Sequence, residues 1–342
     1  MKVVAGVDEA GYGPLLGPLV VSCAAFAVEP DEGSDGEGGD GGGAAPPNLW
    51  ARLGGAVRRT PPAAGPGRRA PRDDGRLVVC DSKKLYQQGK GLRAMEEAVL
   101  AFRELAAPGP APPTLHAFLD GLGIPRAALD VYPWFRGRDL DLPYYSFKSL
   151  VAKRRAMLER ACGRAGLRPL GLRIVPVHPR EFNAAVTSEG NKHRLELGIV
   201  ASFLGALFRD HGEAGVDVSC DKLSGRDFYG DLLERAAPGA RVEPLEEGND
   251  RSVYRVTEGP RRLVARFLVG GEDRCLPTAL ASLASKYVRE LFMHCLNAFF
   301  VERLPRLRPT TGYYGDARRF LDEVRAELAR LAVDEALLVR RC

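Results

Sequence analysis

Apolar residues in this chain fall into short β-branched runs broken by glycine and into longer stretches with helical spacing. The opening run Val3-Val4-Ala5-Gly6-Val7 is short and valine-rich, which favours a strand over a helix that Gly6 would weaken. That strand is predicted to stop near Asp8, where Gly11, Gly13 and Pro14 supply a turn. A second apolar run, 15–28, is predicted to return antiparallel because the turn is short. Further strands are predicted at 76–80, 167–177 and 216–221, and at 241–255 and 261–269 about the turn Glu258-Gly259-Pro260. Helices are predicted from Asp81 or Ser82, as cap, to about 105, and over 146–165, 195–208 and 277–300. A last helix should run from Asp316, as N-cap, to about 331. The 195–208 helix, with Asn191-Lys192 before it, is expected to cross back to a parallel strand.

Composition changes this picture in two places. Residues 31–47 are almost wholly Gly, Asp, Glu, Ser, Ala and Pro, too little apolar surface to offset the entropy of ordering. The stretch 30–72 is therefore expected to be a disordered insertion, with Leu49, Trp50 and Leu53 as its one anchoring point; Arg58-Arg59 and Arg68-Arg69 read as solvated, contact with nucleic acid being the other reading. Residues 106–146 are rich in Pro and Gly and carry Tyr132, Trp134, Phe135, Tyr144 and Tyr145. They read as a second insertion whose rings pack it onto the body; a base-stacking platform beside Arg136 and Arg138 is the other reading. The remainder, 1–333, reads as one domain, followed by an uninformative tail at 334–342.

A net charge of +5 permits a polyanionic partner without demanding one. The basic face of 146–165, with Lys148, Lys153, Arg154 and Arg155, is expected to be solvated. Seven cysteines without a Cys-x-x-Cys pair suggest neither a disulfide framework nor a zinc knuckle, and buried free thiols are expected. With no signal peptide and no apolar run of membrane length, a soluble cytoplasmic monomer is expected.

The candidate chemistry is carboxylate chemistry. Asp8 and Glu9 stand side by side at a predicted strand end, where crowded acids repel unless a cation neutralises them, and Mg²⁺ favours such oxygens. Taken alone, a solvated acidic turn is the plainer reading of that pair. Asp221 closes the predicted strand 216–221, the end at which ligand sites of open α/β sheets collect, whereas Asp217 lies mid-strand without that advantage. Lys83 and Lys84 at a helix start oppose the dipole preference for acids, a cost tolerable if a phosphate sits there.

The stretch Val7-Asp8-Glu9-Ala10-Gly11-Tyr12-Gly13-Pro14-Leu15-Leu16-Gly17-Pro18 resembles the opening motif of ribonuclease HII, the type 2 ribonucleases H. Asp81-Ser82-Lys83-Lys84-Leu85 matches a second motif of that family, and Gly271 to Lys286 resembles its acid followed by an alanine-rich helix. Thr311-Gly312-Tyr313-Tyr314-Gly315-Asp316 resembles its tyrosine segment at the RNA–DNA junction. The resemblance, to a divergent member, implies an α/β, ribonuclease H-like fold with a mixed central sheet opened by an antiparallel hairpin and flanked by helices. It implies that Asp8, Glu9, Asp221 and Glu272 hold two Mg²⁺ or Mn²⁺ ions, with Asp273 an alternative to Glu272 after a one-residue slip. It places Gly11, Tyr12, Gly13, Ser82, Lys83, Lys84, Ser282 and Tyr313 at the substrate, an RNA/DNA hybrid or ribonucleotide-containing duplex cut to leave a 3′-OH and a 5′-phosphate. Tyr12 stands where the family usually has arginine, so cleavage at single embedded ribonucleotides does not carry over with the resemblance. A non-catalytic nucleic-acid-binding protein of this fold is the rival reading, as is a nuclease of this fold acting on another nucleic-acid structure.

Overall fold

The computed structural model describes residues 1–30, 46–61, 73–86, 91–107, 109–223 and 226–341. The opening valines form β1 (Lys2–Ala10), and the chain turns through Gly11 and Gly17, both at positive φ, into β2 (Leu19–Val28). Short elements follow: α1 (Leu49–Arg52), β3 (Val57–Arg58), β4 (Leu77–Val78) and α2 (Ser82–Tyr86). Then come α3 (Gly91–Ala106), α4 (Leu115–Asp120), α5 (Lys148–Arg164) and β5 (Leu167–Val177). α6 (Pro179–Glu189) and α7 (Lys192–His211) lead into β6 (Val216–Asp221). α8 (Gly230–Ala236) precedes a meander of β7 (Arg241–Glu247), β8 (Arg251–Glu258) and β9 (Arg261–Leu268). Last come α9 (Leu276–Val301) and α10 (Tyr314–Arg330).

The main sheet has the order β5-β2-β1-β6-β9-β8-β7, with β1 near its centre. β2 runs antiparallel to β1, while β6 pairs parallel with it from Val3↔Val216 to Val7↔Cys220, and β9 lies parallel to β6. A parallel neighbour needs a crossover, and α7 supplies it. This is the expected mixed sheet opened by an antiparallel hairpin. Alternation along β1 sorts its side chains: Val4 packs with Val20, Ala24 and the apolar faces of α3 and α9, while Val3, Ala5 and Val7 pack with α7 and α8. Gly6 shares the α9 face with Val4. A Cβ there would fall 2.0 Å from the Thr278 backbone nitrogen, so glycine is what lets the start of α9 lie against the strand.

Several expectations change. β1 does not stop near Asp8, because bonding to β2 continues to Ala10↔Val20 after the last parallel pair with β6 at Val7. β2 begins at Leu19 rather than 15, the intervening Gly17 holding φ at +81. Within 30–72, residues 46–61 are folded, not disordered: Leu49, Trp50, Leu53, Ala56 and Val57 are buried, and the Trp50 indole donates to the Val79 carbonyl at 2.8 Å. Residues 31–45 and 62–72, including Arg68-Arg69, for which disorder is expected from composition, lie outside the described residues.

In 106–146 the rings of Tyr132, Trp134 and Phe135 are buried, the latter two against Phe292, Phe299 and Phe300, so they pack rather than offer a stacking platform. Buried Glu96 of α3 ties this segment down, accepting from the backbone nitrogens of Tyr144 and Tyr145, both at 2.6 Å, and from the Tyr287 hydroxyl at 2.8 Å. Arg154 is not solvated but buried, bonded to Glu97 at 2.8 Å and Asp73 at 2.7 Å. Of the helix expected from 81 to 105, Ser82–Tyr86 and Gly91–Ala106 are helical and 87–90 lie outside the described residues, while 241–255 holds two strands. Asp316 is not the N-cap of α10, which is Tyr313; its carboxylate reaches back to the Thr311 nitrogen and the Thr310 hydroxyl, both at 2.8 Å. The tail is packed, with Leu338 and Arg340 buried and Val339 bridged to Leu16. Asp217 is structural, paired with Arg266 at 2.6 Å. Six cysteines among the described residues are free and buried.

Candidate active site

β1, β6 and the turn before α9 each bring acids to one cleft of about 540 Å³. Asp8 and Glu9 lie on the part of β1 beyond its parallel pairing, Asp221 is the last residue of β6, and Glu272 sits in the 3-10 turn Gly271–Asp273. Parallel strands end at the same level, so the acids at the ends of β1 and β6 become neighbours, although they are far apart in sequence. The Gly271 nitrogen donates to Asp221 Oδ1 at 2.8 Å, tying the turn that carries Glu272 to the end of β6.

Because the strand stays extended, Asp8 and Glu9 point to opposite faces. Asp8, 6% exposed, turns toward α9, where the Ser282 hydroxyl bonds its carboxylate. The Ser285 hydroxyl donates to the Asp8 carbonyl oxygen at 3.1 Å, which holds the strand end against the helix. Glu9 turns toward α7, while its own backbone nitrogen donates to Asp8 Oδ1 at 2.8 Å.

The electrostatics are those of a cluster short of counter-charge. Burial, then Glu9 and Asp221, push the Asp8 carboxyl well above the usual range, against the Ser282 hydrogen bond. Burial also raises Glu9, with Glu272 adding repulsion and Lys83 opposing it. Asp221 is raised by burial and Glu9, and Glu272 by burial and Asp221. Glu272 Oε2 is buried without a hydrogen-bond partner among the described residues. Among the described residues no three acidic, histidine or cysteine side chains already stand in chelating positions around one point. The donor set nevertheless fits a hard divalent cation: it is all carboxylate oxygen, like-charged and with one oxygen unsatisfied.

The other expected site residues distribute unevenly. Gly11, Tyr12, Gly13, Ser82, Lys83, Ser282 and Tyr313 line the cleft; Lys84 does not, and pairs instead with Asp273 on the far side of the turn. Glu272 thus faces the acids, and Asp273 faces away. The Tyr12 hydroxyl bonds His193 Nδ1 at 2.9 Å, and the Lys192 ammonium lies 4.6 Å from its ring centre. Tyr313 is 52% exposed, with the Arg289 guanidinium 5.9 Å from its ring. Asn191 caps α7, accepting from the Arg194 nitrogen at 3.0 Å.

Sequence reasoning missed Glu196. It is 1% exposed on α7, one carboxylate oxygen has no partner among the described residues, and burial followed by repulsion from Glu9 pushes it up to about 8. Its signal was an acid inside the apolar run 195–208.

No protein-family model and no curated protein matches the chain. Among solved structures it is similar to ribonuclease HII of Archaeoglobus fulgidus, in complex with PCNA, at TM-score 0.37 and 13% identity, covering 99% of this chain and 93% of that one. For ribonuclease H2 of Pyrococcus horikoshii OT3 the values are 0.38 and 13%, over 98% and 92%. For Bst-RNase HIII in complex with Mn²⁺ they are 0.38 and 12%, over 99% and 66%. The fold is ribonuclease H-like. That assignment rests on the strand order and directions given above, and in such a sheet the four acids sit where its central parallel strands end.

Proposed function

We propose that this chain is a metal-dependent endonuclease that hydrolyses the RNA strand of RNA/DNA hybrids, leaving a 3′-OH and a 5′-phosphate. The observation that carries this reading is the gathering of Asp8, Glu9, Asp221 and Glu272, from β1, β6 and the turn before α9, in one cleft as a like-charged group opposed by Lys83. These four would hold Mg²⁺ or Mn²⁺, and bound divalent ions supply an activated water and charge stabilisation at the leaving oxygen.

The chain's own residues prepare that chemistry. The Ser282 hydroxyl orients the Asp8 carboxylate, and the Ser285 hydroxyl fixes the backbone beneath it. The Gly271 nitrogen holds Asp221 in place. Lys83 lines the cleft from α2, and its ammonium would meet a phosphate approaching the acids. The half-exposed ring of Tyr313 offers a stacking face and a hydroxyl for a sugar 2′-OH. Tyr12, held by His193 and overlain by Lys192, presents no guanidinium to the substrate.

The test is cleavage of matched duplexes carrying four ribonucleotides, one, or none, with Mg²⁺ or Mn²⁺ and with Asp8→Asn as control. Metal-dependent cutting of the ribonucleotide substrates, lost in the variant, is the expected result. Binding without cutting would sink the enzyme reading in favour of a nucleic-acid-binding protein.

A further inference from the structure

A second cleft, of about 400 Å³, lies behind the turn that carries Glu272. The turn separates the two: Glu272 faces the acids, while Asp273 and Arg274 face the second cleft. Its walls come from α1 and the residue after β3, from the start of β8, from β9 and from the head of α9, and four guanidiniums line it: Arg59, Arg251, Arg266 and Arg274.

These arginines differ in how their charge is met. Arg251 is engaged by both carboxylate oxygens of Glu246 at 2.6 Å, and Arg266 by Asp217 at 2.6 Å. Asp273 is taken by Lys84. Arg59 lies over the Trp50 ring, 5.1 Å from its centre, and among the described residues donates only to the Asp273 carbonyl oxygen. Arg274 is exposed and has no ion-pair or hydrogen-bond partner for its side chain among the described residues. Among the described residues two guanidiniums are therefore left without an acidic partner, one of them seated on an indole in a defined orientation. The head of α9, a 26-residue helix beginning beside Cys275, adds the positive end of its dipole.

We propose that this cleft binds phosphate groups of the nucleic-acid backbone, so that Arg59 and Arg274 anchor the duplex while Glu272, on the other side of the same turn, faces the strand to be cut. Guanidinium forks match phosphate oxygens, and the positions of both arginines are set by a folded segment and a helix start rather than by a free loop. The inference rests on the nuclease reading. It gives residues 46–61 a role, because Trp50 and Arg59 belong to that segment.

The test uses the full chain with Arg59→Ala, Arg274→Ala and Arg274→Lys. Arg209→Ala serves as control, since Arg209 is exposed at the end of α7 away from the cleft. Binding of a fluorescein-labelled RNA/DNA hybrid is titrated in Ca²⁺ between about 50 and 200 mM salt. Removing one phosphate-binding guanidinium should take about 0.9 from the slope of log K against log salt, so that affinity falls about 3.5-fold less over that range than it does in wild type. The slope should fall for Arg59→Ala and Arg274→Ala, return in Arg274→Lys, and stay at the wild-type value in Arg209→Ala. Unchanged slopes in both alanine variants overturn the proposal. So does a cleft that takes only free anion, seen as inorganic phosphate or ATP raising the Tm of wild type but not of the variants while hybrid binding is unaltered. A wild type that binds hybrids with arginine-dependent slopes but cuts none would refute the nuclease reading and leave the anchoring in place.

Discussion

Replacing Asp8 by Asn should stabilise the metal-free protein while abolishing cleavage. Asp8 is buried and its carboxyl is raised by burial and by Glu9 and Asp221, so the folded state holds its proton more tightly than the unfolded chain does. The carboxylate therefore does no harm below the unfolded value of about 3.9, and it costs increasing stability as pH rises toward its folded value, beyond which the full cost is present. Asn keeps the shape, still accepts from the Ser282 hydroxyl and removes one charge from a like-charged group. Relief of about 1–3 kcal/mol is expected for a buried charge without a counter-ion. In EDTA at about pH 8 this is a rise in Tm of about 2–6 °C by calorimetry, at the low end of the per-kcal shift because the chain is long. The gap should close as pH falls toward about 4. Adding Mg²⁺ or Mn²⁺ at about a hundred times its Kd gives wild type about 2.7 kcal/mol and should reverse the order. A variant less stable than wild type under the same metal-free, mildly alkaline conditions would refute the reasoning, because Asp8 would then be a structural hydrogen-bond node rather than a strained ligand.

Three further outcomes are expected. Glu272→Gln should lower cleavage by about 100-fold or more, whereas Asp273→Asn, which breaks only the Lys84 pair, should stay within about threefold of wild type in a gel assay. Tyr313→Ala should weaken hybrid binding by about 1–3 kcal/mol with no change in Tm, since the ring is half exposed and packs little of the fold. Gly6→Ala places a methyl 2.0 Å from the Thr278 nitrogen and should cost about 3 kcal/mol or more, read from the urea midpoint, with cleavage falling as α9 and Ser282 move off Asp8.

Local pattern determined much of this protein. Valine-rich runs, the turn glycines and the apolar stretch before Val301 were enough to place β1, β5, β6 and α9 within a few residues of where they form, because each depends on near-neighbour propensity and periodicity. The acids Asp8, Glu9, Asp221 and Glu272 were legible one at a time, at strand ends and in a motif. What no local reading could supply was their meeting. Asp221 reaches Asp8 only because the α7 crossover sets β6 parallel to β1, and Glu272 joins them only because the Gly271 nitrogen bonds Asp221.

Tertiary structure also overruled composition. Residues 46–61 look like part of a Gly/Pro-rich insertion, yet Leu49, Trp50 and Leu53 find an apolar face to bury against, and the folded segment brings Arg59 beside the turn of Glu272. Glu196 is the counterpart, a single acid in an apolar helix, whose burial beneath Glu9 depends on which side of an unbroken strand each carboxylate takes. Propensity acts over a few residues and is written in the chain. The pairing of charges across a sheet acts over distances that only the folded packing sets.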